Sequence, residues 1–214
     1  PVIRREPLFD RLVAAVKMIR EAGIQPHIIP TAHGGNIDAL GEYVALADSL
    51  GATMNFSLLS APVENEDLSA VLPDDAALER LAQATLALSR DGVPVLSDTP
   101  VSTRLTTTCG CGAGCTMVSV SADGEVFPCH MMHDEAFSLG SLLEDSGCLA
   151  ARHAPAPRVA ELGACADCDI RYLCGGGCRA RAYFATGDVE ARDPYCSLVR
   201  TFYRLLFEAM LARN

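Results

Sequence analysis

Four cysteines lie within a short stretch in the last third of the chain, spaced C-x2-C-x5-C-x3-C from Cys165 through Cys168 and Cys174 to Cys178. Three consecutive glycines fill the last interval. Thiolates are preferred protein ligands of iron–sulfur clusters, and closely spaced cysteines let one turn supply several of them. Glycine has no Cβ, so the backbone can turn sharply there and bring its N–H groups close to sulfur. This stretch therefore predicts a metal-binding cradle.

A second cysteine-rich stretch, Cys109-Gly-Cys111-Gly-Ala-Gly-Cys115, precedes a predicted hairpin. Valines alternate with serines over residues 118–121, which predicts a half-buried strand, and Asp123-Gly124 is a strong hairpin-turn signal. A two-residue loop there sets Val120 opposite Phe127 and carries Cys129 back to the neighbourhood of Cys115. An ordinary hairpin with a buried cysteine is the alternative interpretation.

Composition excludes several classes of function. The chain has 214 residues, 50% of them hydrophobic, and a formal net charge of -10 without a basic run, which argues against nucleic-acid binding. The sequence contains no apolar run of roughly 18 residues, so we expect no membrane span. It shows no signal peptide, and we expect a cytoplasmic location where its ten cysteines stay reduced rather than forming a disulfide framework. Because the chain begins with Pro1, we expect the natural start to lie upstream.

Residues 1–100 have the pattern of an α/β unit in which helices alternate with short strands. Apolar residues recur at helical spacing in three segments, which end at Gly23, Gly51 and Gly92, and apolar strand segments lie near residues 26–30, 54–59 and 93–96. Such alternation predicts parallel strands with crossover helices, and three strands are too few to close a barrel. Composition changes near Asp98, where glycines and all ten cysteines begin to dominate, so we place a domain boundary between Ser97 and Thr106.

The last segment is a predicted amphipathic helix with Cys196 in its first turn, where a helix N-terminus favours a thiolate. Its apolar stripe consists of Val199, Phe202, Leu206 and Met210. Of the ten cysteines, Cys148 stands apart, and the other nine suffice for two sites of four thiolates. Two zinc sites would need the same number of ligands, but the spacing and the glycines are less typical of a zinc ribbon. Spacing alone would also place the four cysteines of the cradle on one metal.

The order C…G-x4-C, then C-x2-C-x5-C-x3-C, then a final cysteine resembles the SPASM domain of radical S-adenosylmethionine (SAM) enzymes. The match spans roughly Cys109 to Cys196. Upstream, Ala22-Gly23-Ile24 and Asn36-Ile-Asp-Ala-Leu resemble the C-terminal half of the radical SAM barrel. The resemblance thus implies a partial (β/α) barrel over residues 1–100 and a cysteine-rich α+β SPASM iron–sulfur domain over residues 101–214, with a β-hairpin and a C-terminal helix.

The resemblance also implies two auxiliary 4Fe–4S clusters with interleaved ligands. Cluster II would be held by Cys165, Cys168, Cys174 and Cys196. Cluster I would be held by Cys178, Cys115, Cys129 and either Cys109 or Cys111. The separation of Cys109 from Cys115 resembles sulfatase-maturing enzymes, whereas Cys111-Gly-Ala-Gly resembles peptide maturases, so both alternatives stay open. Cys148 matches no ligand position.

The sequence contains no C-x3-C-x2-C motif, so the cluster that cleaves SAM is expected in a missing N-terminal part, and the chain alone is expected to be inactive. In the full-length parent, a 5′-deoxyadenosyl radical would abstract hydrogen from a ribosomally made peptide or protein, and the auxiliary clusters would relay electrons. Partners implied are this substrate and an electron donor such as flavodoxin or ferredoxin. An anaerobic sulfatase-maturing enzyme is one alternative function. A zinc-binding protein-interaction module is an alternative of another class.

Several polar residues beside the cysteines have two interpretations. His130 stands where sulfatase-maturing enzymes carry an acidic residue, which favours the peptide-maturase interpretation. His130 and His133 would act as a proton relay or hydrogen-bond donors near cluster I, or lie partly exposed in a loop. Arg171, Arg179 and Arg181 would offset the negative charge of the clusters or be solvated.

Overall fold

The computed structural model describes residues 8–60, 70–90, 95–96, 99–103, 105, 107–108, 110–143 and 156–212. The chain divides into two compact units, residues 1–105 together with 195–214, and residues 106–194. The first boundary between the units, after Leu105, lies within the predicted range from Ser97 to Thr106. The C-terminal helix, however, belongs to the first unit and not to the cysteine-rich one. The division into domains 1–100 and 101–214 therefore stays a prediction, and residues 195–214 pack with the first unit.

The helices are α1 (Phe9–Glu21), α2 (Leu40–Ser49), α3 (Asp75–Arg90), α4 (Arg171–Cys174), α5 (Arg179–Thr186) and α6 (Cys196–Leu211). Short 3-10 helices span Ile37–Ala39, Glu135–Phe137 and Gly163–Cys165. The strands are β1 (His27–Ile28), β2 (Thr31–Ala32), β3 (Thr53–Met54), β4 (Ser57–Leu58), β5 (Ser119–Val120), β6 (Glu125–Phe127) and β7 (Gly140–Ser141).

The strands of the first unit run parallel, as the helix–strand alternation predicts. β1 pairs with β3 and β2 pairs with β4, while Phe56 forms a parallel bridge with Leu96. These strands form two separate two-stranded sheets. Buried Met54, Phe56 and Leu58 alternate with more accessible residues, so one side of the segment that contains β3 and β4 packs into the core. The mixed α/β architecture is thereby confirmed, and its assignment to half of a radical SAM barrel stays a prediction.

Helix α6 completes the core of the first unit by packing against α3. Leu81 and Ala82 of α3 and Leu198 and Phe202 of α6 are fully buried. The predicted apolar stripe of α6 is confirmed for Val199, Phe202 and Leu206, whereas Met210 near the helix end is exposed. The Tyr195 hydroxyl donates a hydrogen bond of 2.6 Å to the carbonyl oxygen of Leu59 and ties the start of α6 to the region after β4.

The hairpin of the second unit is present, but the predicted register is wrong by one residue. Val120 pairs with Val126 and not with Phe127, because the loop contains three residues that end with Gly124 at φ +85°. This is the loop class in which the last residue adopts a left-handed conformation. The expected burial of the valines is also wrong, since Val118 and Val120 are 58% and 47% exposed. β7 adds a third antiparallel strand beside β6.

Within the residues that the structure describes, no helix is both long enough and apolar enough to cross a bilayer.

Candidate metal centre

The Gly175-Gly176-Gly177 segment adopts a backbone that only glycine accommodates without strain. Its three φ angles are +70°, +90° and +75°, all in the left-handed region. A Cβ on Gly175 would lie 2.7 Å from a methyl carbon of Thr108. A Cβ on Gly176 would lie 2.5 Å from a methyl carbon of Leu162, and one on Gly177 would lie 2.7 Å from the Asp193 Cβ. The neighbouring residues therefore close around the bare backbone, as the predicted cradle requires.

Two N–H groups of this cradle have no hydrogen-bond acceptor among the described residues. The Gly175 N–H donates to the carbonyl oxygen of Arg171 at 2.7 Å, whereas the N–H groups of Gly176 and Gly177 have no acceptor within the described part of the chain. Gly176 is buried. Buried backbone N–H groups are almost always hydrogen-bonded, so an unpaired one needs a partner. A metal-bound sulfur is an acceptor of the required kind.

Cys178 follows the glycines and is held by a buried ion pair. The Asp193 carboxylate accepts a hydrogen bond of 2.6 Å from the Cys178 N–H and one of 2.8 Å from Arg181 Nη2. Arg181 and Asp193 are only 2% and 6% exposed. The sequence offers no periodicity or motif that marks Asp193, which lies 15 residues from Cys178, and our sequence analysis missed it.

Arg179 is a second buried arginine beside Cys178, and it has a different environment. Its guanidinium donates hydrogen bonds to the carbonyl oxygens of Gly176, Val189 and Ala191. Its Nε–H is buried without a hydrogen-bond acceptor in the described residues. Solvation of Arg179 and Arg181, one of the two interpretations above, is therefore wrong for both. Arg171 donates to the Ala166 carbonyl oxygen on a more accessible part of the surface.

Three of the cysteines predicted for cluster I share one apolar environment. Cys129 belongs to a buried group with Ala113, Met132 and Ala180, and the partly buried Cys111 and Cys178 pack against it. The hairpin brings Cys129 back near Cys115, as predicted. The Gly114 N–H donates a hydrogen bond of 2.9 Å to the carbonyl oxygen of Pro128, and these two residues directly precede the two cysteines. Cys115 is exposed in the turn that follows Gly114. Cys109 and Cys148 lie outside the described residues.

Of the four predicted ligands of cluster II, three lie close together in the sequence of the second unit and the fourth belongs to the first unit. Cys165 ends a 3-10 helix, and the Cys168 N–H donates 3.1 Å to its carbonyl oxygen. Cys174 is the last residue of α4. All three are partly buried. Cys196 is the first residue of α6, and its place in the first helical turn is as predicted. It belongs to the first unit, not to the cysteine-rich one.

Burial favours the neutral thiol at two of these positions. It raises the pKa of Cys129. Hydrogen bonds from the N–H groups of Met131 and Met132 lower this pKa, and the nearby Cys111 raises it further. Burial likewise raises the pKa of Cys178, while the charge and the backbone N–H of Arg181 lower it. Both thiols are therefore protonated at neutral pH in the absence of a metal, and metal binding must displace these protons.

The donor set fits a cluster, although it does not converge on a point. Among the described residues, no group of three or more His, Cys, Asp and Glu side chains is arranged to hold a single metal ion. A cluster of four irons is larger than one ion, so its ligands surround a volume. Thiols in an apolar environment, unpaired backbone N–H groups and buried cations are the features that such an anionic group requires.

The two histidines after Cys129 are exposed. His133 stacks on Phe127 with ring centroids 4.4 Å apart, and its Nε2 lies 2.7 Å from the Ser119 hydroxyl oxygen. These contacts fix the ring of His133 against the hairpin. The exposure agrees with the interpretation of both residues as loop residues, and a catalytic role of His130 stays a prediction.

The chain is similar to peptide-modifying enzymes over nearly its whole length. It is 28% identical over 208 residues to the mycofactocin maturase MftC of Mycolicibacterium smegmatis, covering 91% of this chain and 53% of the relative. It is 29% identical over 222 residues to the PqqA peptide cyclase of Granulibacter bethesdensis, covering 96% of this chain and 58% of the relative. The chain thus spans little more than half the length of these relatives. No family model matches the sequence.

Solved structures share the fold. Native anSMEcpe with bound AdoMet superposes with a TM-score of 0.73 at 14% identity, covering 96% of this chain and 61% of that one. Streptococcus suis SuiB bound to S-adenosylmethionine superposes with a TM-score of 0.57 at 16% identity, covering 87% and 48%. Together with the sequence relatives, these matches confirm the resemblance to radical SAM peptide maturases.

Proposed function

We propose that this chain is the C-terminal, auxiliary-cluster-bearing portion of a radical SAM enzyme that modifies a ribosomally made peptide. The observation that carries this proposal is the gathering of Cys111, Cys129 and Cys178 around one buried apolar group. Beside it lies the glycine cradle, in which the N–H groups of Gly176 and Gly177 have no acceptor among the described residues. The similarity to MftC and to PqqA peptide cyclase supports a peptide as the substrate.

In this proposal Cys111 joins Cys115, Cys129 and Cys178 as the ligands of cluster I. The packing of Cys111 against the group that contains Cys129 supports Cys111 as a ligand. Cys109, which lies outside the described residues, stays the alternative. Cluster II takes Cys165, Cys168, Cys174 and Cys196, a set that rests on the resemblance of the spacing. S-adenosylmethionine and a third cluster belong to a part of the enzyme that the present chain does not contain, so the chain alone would not start the reaction.

When bound, an auxiliary cluster supplies a site that accepts or donates one electron. The residues of this chain determine the environment of that site. Cys129 and Cys178 would provide one buried and one partly buried thiolate, and the buried apolar side chains of Ala113 and Met132 would limit the access of water to them. The N–H groups of Gly176 and Gly177 are available to donate hydrogen bonds to sulfur. An electron donor such as flavodoxin or ferredoxin and the substrate peptide are the proposed partners of the full-length enzyme.

Anaerobic reconstitution of the chain with iron and sulfide tests this function. We expect about eight irons and eight sulfides per chain with broad absorption near 400 nm, as two 4Fe–4S clusters require. The Cys111→Ser variant should retain about four irons, and Cys148→Ser, which replaces a cysteine without a ligand position, should retain about eight. Stoichiometric zinc that iron and sulfide do not replace would overturn the proposal and favour the protein-interaction module.

A further inference from the structure

The Arg181–Asp193 pair differs from the other ion pairs of the described residues in its burial. Arg80–Asp38 and Arg204–Glu208 both have side chains about half exposed or more, and such pairs contribute little to stability. Arg181 and Asp193 are almost completely buried, so their charges act through a medium of low polarity. A buried pair of this kind is costly to form, and replacing it with apolar residues is often neutral or stabilising. Its presence needs a reason other than stability.

The geometry of Asp193 directs this pair toward Cys178. One carboxylate oxygen, Oδ2, accepts from both the Cys178 N–H at 2.6 Å and Arg181 Nη2 at 2.8 Å. Arg181 Nε lies 3.2 Å from Oδ1, so the guanidinium binds the carboxylate through two nitrogens. The close approach of Asp193 to Gly177 leaves no room for a Cβ there. Asp193 therefore fixes the backbone from which the Cys178 thiol projects.

We propose that Asp193 is a positioning residue for Cys178 and that it neutralises the charge of Arg181 beside cluster I. This inference rests on the proposed function, because it assumes that Cys178 is a ligand of that cluster. Reduction adds one negative charge to the cluster. An uncompensated cation nearby stabilises the reduced form, and an uncompensated anion stabilises the oxidised form. The balanced pair therefore holds the reduction potential between the values that either charge alone would impose.

The test is a redox titration of the iron-loaded chain, followed by electron paramagnetic resonance, with three variants. Asp193→Asn leaves the Arg181 cation and should shift one couple to more positive potential. Arg181→Met leaves the carboxylate and should shift the same couple to more negative potential. We expect each shift to reach about tenfold in the reduction equilibrium, or 59 mV for one electron. The double variant removes both charges and should return the couple close to its value in the unchanged chain.

The second cluster and an exposed arginine provide the controls. The couple of cluster II serves as an internal reference and should not move. Arg80→Gln removes an equal charge from an exposed residue of the first unit, where Arg80 pairs with Asp38 at 2.9 Å. This variant should leave both couples unchanged.

The possible outcomes separate this inference from the proposed function. Shifts of opposite sign that cancel in the double variant would support the inference. Equal losses of iron in both single variants and the double variant, without opposite shifts, would assign the pair a purely structural role and overturn it. An unchanged chain that binds no iron would instead contradict the proposed function itself.

Discussion

The substitution Gly176→Ala tests whether the cradle depends on the absence of a side chain. Gly176 has a φ of +90°, a conformation that costs a residue with a Cβ roughly 1–2 kcal/mol. The added Cβ would lie 2.5 Å from a methyl carbon of Leu162, which is itself 1% exposed and has little space to move. Overpacking of this kind costs about 1–3 kcal/mol. We therefore expect the free energy of unfolding to fall by about 2–5 kcal/mol.

Gly187→Ala is the matched control. Gly187 has a φ of +77°, similar to that of Gly176, but a Cβ there meets no atom within 4 Å. Both substitutions restrict the unfolded chain to the same degree, so this effect cancels in the comparison. The difference between the two variants should therefore isolate the overpacking, about 1–3 kcal/mol.

Urea unfolding of the reduced, metal-free chain, followed by circular dichroism, measures both variants. Iron content after anaerobic reconstitution provides a second measurement, and it should fall for Gly176→Ala because the shifted backbone moves an N–H donor away from sulfur. Equal unfolding free energies and equal iron contents for the two variants would refute the argument that the segment is closely packed around bare backbone.

Three further predictions concern titration and packing. The pKa values of Cys129 and Cys178 are raised in the folded state, so their contribution to the stability of the metal-free chain is complete below the ordinary thiol value of 9.0 and is lost as the pH rises through the folded values. When the pH is raised above 9.0, the urea concentration at the unfolding midpoint of the metal-free chain should decrease. A variant with serine at both positions should lack the part of this decrease that comes from the two thiols. Tyr195→Phe removes the donor to the Leu59 carbonyl oxygen and should cost about 1–3 kcal/mol in urea unfolding, and an unchanged midpoint would show that this carbonyl finds another donor. Leu81→Ala should cost about 2–5 kcal/mol, since Leu81 is fully buried in α3, and a cost below 1 kcal/mol would mean that the α3–α6 interface relaxes to fill the space.

Local signals in the sequence predicted the elements that depend on local chemistry. Gly23 ends α1, as predicted, with a left-handed conformation and a hydrogen bond from the Ile24 N–H to the Ile19 carbonyl oxygen. The parallel pairing of the first strands and the buried stripe of α6 also followed from periodicity. The end of α1 and the stripe of α6 depend on residues a few positions apart, which a sequence pattern records directly. The strands pair over longer distances, but a helix between two strands is enough to predict that they run parallel.

The errors arose where distant residues decide the local structure. The hairpin loop has three residues, and its last residue, Gly124, contacts the segment that contains β7. Its carbonyl oxygen accepts from the Leu142 N–H beside β7, and a Cβ on it would meet Leu143 at 2.8 Å. The turn dipeptide alone contains no information about that third strand. Asp193 was missed for the same reason, because its role is defined only by contact with Arg181 and Cys178.

The three consecutive left-handed glycines also affect the order in which the second unit acquires structure. Glycine has the largest backbone freedom of any residue in the unfolded chain, and fixing each residue costs roughly 1–2 kcal/mol in conformational entropy. Gly175, Gly176 and Gly177 bury no side chain of their own to offset this cost. We therefore expect the segment to be among the last parts of the unit to become ordered. The N–H groups of Gly176 and Gly177, which have no acceptor among the described residues, should be poorly protected against amide hydrogen exchange until the sulfur of the proposed cluster accepts them. Cofactor insertion would then be a late folding step, in which the group to be bound completes its own binding site.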